Sequence, residues 1–162
     1  MIINPKNQTF VHYGSSKFEI EKFIPVTNII GWNKPQGGLW ACDINTKYSW
    51  KKWCLQENFH LDRLKTSFKF KLKNNANILR LKTPDDFNTL PILTSLFEKE
   101  KETCPKTIQY QLMFNYIDWE HLRDNNIDAI EYIRTPFGHH VFFTWDVDSL
   151  LVINPETIEI QE

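Results

Sequence analysis

Apolar and charged residues alternate strictly through Phe68, Lys69, Phe70, Lys71, Leu72 and Lys73, the period of a strand with one buried face. The run 78–81 reads as a second strand, so two adjacent strands are expected there. Further strands are expected at 9–13, which runs into the turn cluster Gly14-Ser15-Ser16, and at 39–42, after a turn cluster at 33–38. Towards the C-terminus the pattern predicts strands over 127–133, 140–145 and 150–153, separated by turns at 136–138 and 146–149.

Helical spacing lies between these strands. Trp50, Trp53, Cys54 and Glu57 share a helical spacing within 43–58, with Asn45 or Thr46 as the N-cap. Thr83-Pro84-Asp85-Asp86 supplies a cap, a first-turn proline and acids at the positive end of a helix. Pro91 interrupts that helix before its character continues towards Lys101. Asp118 caps a short helix through Arg123. Strands, then interrupted helices, then strands predict an α+β fold with a mostly antiparallel sheet.

Composition bounds this picture. A chain of 162 residues that is 41% hydrophobic can close one core, and no repeat or linker divides it, so one domain over 1–162 is expected. A net charge of -1 provides no global field for nucleic acid or an anionic membrane. No apolar run approaches the roughly 18 residues of a membrane span, and the opening MIINPKNQTF does not read as a secretory leader. Cys42, Cys54 and Cys104 show no C-x-x-C spacing, which suits a reducing cytoplasm, and a monomer is the default. His139-His140 would face opposite sides of a strand, so no metal is expected. Arg63, Lys65, Lys69, Lys71, Lys73, Arg80 and Lys82 stand against Asp62 alone. They read either as a phosphate-contacting patch or, preferably, as a solvated face that guards an edge strand.

The candidate chemistry lies in two clusters at strand ends, His12-Tyr13-Gly14-Ser15 and Gly37-Gly38-Leu39-Trp40-Ala41, followed by a helix starting near Ser49. Glycines beside an aromatic suggest a backbone that approaches a flat ligand, with the ring stacked on it.

His12-Tyr13-Gly14-Ser15-Ser16 resembles the H-G-S-type first motif of ADP-ribosyltransferases of the diphtheria-toxin and poly(ADP-ribose) polymerase lineage, and Gly37-Gly38-Leu39-Trp40-Ala41 resembles their G-x-G-x-Y-F-A second motif. Residues 125–130 are similar to the "YDG" strand of small bacterial and phage members, and residues 149–158 to their last strand. The stretch 59–119 carries none of this signal.

The resemblance implies a split antiparallel β-sheet core with short flanking helices, NAD as co-substrate, and transfer of one ADP-ribose to a protein or nucleic-acid acceptor with release of nicotinamide. An NAD glycohydrolase, or a catalytically degenerate domain that binds a nucleotide or a partner, are the alternatives. His12 or Tyr13 would hold the adenosine-side ribose, since neighbouring strand residues face opposite sides and only one can point into a pocket. Gly14 would hold the nicotinamide carboxamide through its backbone, with Ser15 and Gly38 beside the cofactor. Trp40, in place of the family's Tyr, would stack on the nicotinamide, and Tyr48 and Ser49 would close the pocket. A carboxylate must stabilise the positive charge that develops on the ribose. The family's acid falls on Ser149, so the expected order of candidates is Asp148, then Glu131, then Asp146.

Overall fold

The alternation read from the sequence becomes strands wherever one face has a core to meet. A computed structural model describes residues 1–5, 7–28, 34–102, 116–134 and 145–161. Its strands are β1 (Ile2–Ile3), β2 (Phe10–Tyr13), β3 (Leu39–Asp43), β4 (Ser67–Leu72), β5 (Ile78–Leu81), β6 (Ala129–Tyr132), β7 (Ser149–Val152) and β8 (Ile158–Ile160). They lie in the order β1-β5-β6-β7-β3-β2-β4-β8. Only β5 and β6 run parallel; the other neighbours are antiparallel. The connection from β5 to β6 carries α2 (Pro84–Phe87), α3 (Thr94–Lys101) and α4 (Trp119–Asp124), while α1 (Trp50–Glu57) follows β3. The result is an α+β domain with a mixed, unclosed sheet and short flanking helices.

Two cores form because alternate residues of the same strands face opposite ways. Phe10, Phe70, Leu72, Ile78, Ala129 and Leu150 belong to one, which joins the β2-β4 side of the sheet to the β5-β6-β7 side. Leu81, Ile130, Tyr132 and Leu151 belong to the other, which is closed by Trp119, Leu122 and Trp145. Burying a side chain of this size contributes about 1.5–3 kcal/mol, so the packing of these layers fixes the frame on which the site is built.

Several expectations change. β4 and β5 are not neighbours: β4 lies between β2 and β8, and β5 between β1 and β6. β4 is therefore no edge strand, and its lysines guard no open edge; Lys71 stands opposite Glu159 of β8. The cap of α1 is Ser49, whose hydroxyl accepts from the Lys52 N–H, because Asn45 and Thr46 are held in a turn by Asp43. The caps at Thr83 and Asp118 form as expected. β8 has no counterpart in the sequence reading, and the strand expected at 140–145 lies outside the described residues except for Trp145. Among the described residues no helix is long and apolar enough to cross a membrane.

Candidate functional site

The sheet opens between β2 and β3. These strands pair only at Phe10 with Asp43 and Val11 with Cys42. Beyond that point β2 stays with β4 as far as Tyr13, paired with Ser67, while the first half of β3 stays with β7. The gap is bridged by His12, whose Nδ1 lies 2.7 Å from the Trp40 carbonyl oxygen. A carbonyl can only accept, so Nδ1 carries the hydrogen and the neutral ring keeps Nε2 as an acceptor. Burial lowers the His12 pKa; the bond to Trp40 opposes that shift and the charge of Arg63 adds to it.

A cleft of about 240 Å³ lies at this opening, lined by His12, Tyr13, Lys34, Trp40, Trp50 and Asp146 among others. A second hollow of about 420 Å³ shares His12 and Trp40 and is lined by Ser15, Phe18, Gly37, Gly38 and Phe68. Val11, His12 and Tyr13 all line the first cleft, along the edge of β2 that β3 leaves, while β2 stays in register with β4.

The rings in the cleft are held from behind. Trp40 meets Trp145 edge to face at 4.8 Å between centroids, and Trp50 stacks on Trp53 at 5.1 Å. The Lys34 ammonium lies over both cleft rings, 5.8 Å from the Trp40 centroid and 5.8 Å from the Trp50 centroid. Lys34 as a whole is exposed, yet desolvation at its ammonium lowers its pKa, against the pull of Asp146. Cys42 also lines the cleft, but burial pushes its thiol up, so it stays neutral and is a poor nucleophile. Arg63 lines the same cleft, next to Gly14.

The glycines act differently from expectation. The Gly14 N–H donates to the Thr66 carbonyl at 3.0 Å, so it is not open to a carboxamide. Gly37 and Gly38 have φ of +82 and +68. A Cβ on Gly37 would lie 2.6 Å from the Ile24 carbonyl oxygen, and one on Gly38 would meet the Leu151 side chain and the Val152 carbonyl oxygen. They are needed where residues 24–26 and β7 press on the start of β3, and Gly38 reaches the second hollow only as part of its wall.

The three carboxylates differ in their surroundings. Glu131 is buried, 2.6 Å from Arg80 Nε and 3.3 Å from Gln8 Nε2; it does not line the cleft but a separate hollow of about 280 Å³, which it shares with Asp148 and Ser149. Asp148 lines the cleft but is buried and engaged: Oδ1 accepts from the Arg134 N–H at 2.6 Å, and Oδ2 from the Thr46 hydroxyl. Asp146 lines the cleft with no hydrogen bond to its carboxylate among the described residues, although its backbone carbonyl accepts from Arg134. Ser149 lines the cleft, its hydroxyl donating to the Val147 carbonyl.

Ser15 holds a turn through the Lys17 carbonyl and reaches only the second hollow. Tyr48 is exposed beneath Arg134, 5.1 Å from its ring, and neither Tyr48 nor Ser49 lines the cleft. Lys34, Cys42 and Arg63 line the cleft without having been expected there from the sequence. The basic excess around 61–83 was a signal for Arg63; nothing local marks Lys34 as the partner of two distant indoles. Comparisons with protein families, with curated proteins and with solved structures find no match to this chain.

Proposed function

We propose that the chain is an ADP-ribosyltransferase-like domain that binds NAD in the cleft between β2 and β3 and transfers its ADP-ribose to a macromolecular acceptor, protein or nucleic acid. The observation that carries this reading is the opening of the sheet beyond Val11 and Cys42, which brings the first motif, at His12 and Tyr13, and the second motif, at Trp40, onto one cleft. It supports the split core that the motif resemblance implies. The neutral His12 ring offers Nε2 to a ribose hydroxyl donor, Trp40 offers a face to the nicotinamide, and Arg63 offers a fork of donors for the pyrophosphate. The two hollows that share His12 and Trp40 suit the two halves of a dinucleotide.

Departure of nicotinamide leaves positive charge on the ribose, and an anion fixed nearby stabilises that state more than it stabilises bound NAD. Asp146 is the carboxylate on the cleft that accepts no hydrogen bond among the described residues, and it serves that charge, whereas Asp148 holds Thr46 and Arg134 in place. This reverses the order expected from sequence and leaves Glu131 with a structural role. A second reading, a nucleotide-binding domain without catalysis, is favoured by the absence of an acid at Ser149 and the engagement of both Asp148 oxygens.

The test is incubation with NAD and a cell lysate, reading free nicotinamide and ADP-ribose adducts by mass spectrometry. Release should fall at least about a hundredfold in Asp146→Asn, equivalent to about 2.7 kcal/mol of transition-state stabilisation. Glu131→Gln should keep turnover per folded molecule. Nicotinamide without an adduct would indicate a glycohydrolase, and binding without nicotinamide release would favour the second reading.

A further inference from the structure

Two indole rings that are far apart in sequence converge on one ammonium. Lys34 Nζ lies 5.8 Å from the Trp40 centroid and 5.8 Å from the Trp50 centroid, inside the range in which a ring face attracts a cation. Both rings are packed against other aromatics, Trp40 against Trp145 and Trp50 against Trp53 and Phe59. Asp146 lines the same cleft and adds a negative charge to the same cation. An aromatic pair with a carboxylate is a recognition set for positive charge; a neutral ring gains stacking there but not the quadrupole attraction.

We infer that the space between Trp40 and Trp50 is a site for a planar organic cation, and that the Lys34 ammonium is its internal competitor. On the function proposed above, on which this step rests for the identity of the ligand, the cation is the pyridinium ring of oxidised nicotinamide. The reduced ring is neutral, so the cleft selects the oxidised cofactor. The leaving group also becomes neutral as the glycosidic bond breaks: the electron pair of the C–N bond stays with the ring, and its positive charge passes to the ribose. Neutral nicotinamide then competes less well with Lys34, which returns to the rings and assists its release.

The probes are 1-methylnicotinamide, a cation, and nicotinamide, its neutral counterpart, titrated by tryptophan fluorescence and calorimetry. Lys34→Met keeps the length of an exposed side chain and removes the charge. In that variant 1-methylnicotinamide should bind at least about tenfold more tightly than nicotinamide, the ratio expected when two rings each contribute about 0.7 kcal/mol. In the unsubstituted protein the preference should be smaller, because the resident ammonium must be displaced. Adding Trp50→Leu to Lys34→Met should return the ratio to near unity, and adding Asp146→Asn should lower it with no ring removed, which covers the case in which the Trp50 variant does not fold. Equal affinities for the two probes in Lys34→Met, or a preference that survives both second substitutions, would overturn the inference. If NAD binds and no cation preference is found, this inference fails and the proposed function stands. If 1-methylnicotinamide shows the preference and NAD does not bind, the inference stands and the proposed function fails.

Discussion

At the scale of single residues, His12 links the two sides of the opening and its protonation state is set by that position. Its folded pKa is lowered from the ordinary 6.5 by burial. Above pH 6.5 the ring is neutral in both folded and unfolded chains and contributes no pH dependence. As the pH falls below 6.5 the unfolded chain takes up a proton that the folded ring resists, so stability is lost until the pH passes below the lowered folded value. His12→Asn keeps an N–H donor for the Trp40 carbonyl and removes the titration. The thermal midpoint of the original protein should therefore drop more steeply than that of the variant as the pH falls below 6.5; parallel curves would show that His12 is not shielded. The two glycine-containing clusters at strand ends marked His12 and Trp40 as candidates. The order Asp148, Glu131, Asp146 read from the sequence could not take account of their partners, which lie elsewhere in the chain: Arg80 and Gln8 for Glu131, Thr46 and Arg134 for Asp148.

At the scale of elements, the alternation around 68–73 and 78–81 gave the strands but not their neighbours, since period 2 reports which face is buried and not which strand lies alongside. The Gly37-Gly38 pair was legible as a special backbone position, but its cause lies within the protein. Gly38→Ala must hold φ near +68 and fit a Cβ 2.9 Å from the Val152 carbonyl oxygen and 2.9 Å from Val26 Cγ2. The left-handed conformation costs about 1–2 kcal/mol and the crowding about 1–3 kcal/mol more. The thermal midpoint should fall by at least about 4 °C, measured by circular dichroism. A midpoint unchanged to within about 1 °C would mean that the start of β3 relaxes away from β7.

At the scale of the whole molecule, one residue, Asp128, ties parts of the frame together. The Asp128 carboxylate accepts from the Asn77 N–H at 2.8 Å and from Asn154 Nδ2 at 2.8 Å, while its carbonyl accepts from the Ile153 and Asn154 N–H groups. The entries to β5 and β6 and the turn between β7 and β8 therefore share one anchor. A fold class of strands, interrupted helices and strands could be read from the sequence; long-range ties of this kind could not, because each partner is an ordinary polar residue in its own surroundings. The frame holds β3 against β7 and β2 against β4, and the opening between β2 and β3 is where the account locates NAD. The most direct measurement is an NMR titration of this 19.4 kDa chain with NAD, following backbone amides and tryptophan indoles. The account predicts the largest shifts at His12, Tyr13, Trp40, Ala41 and Cys42 and at the Trp40 and Trp50 indoles; no shifts at millimolar NAD, or shifts centred on Gln8, Arg80 and Glu131, would contradict it.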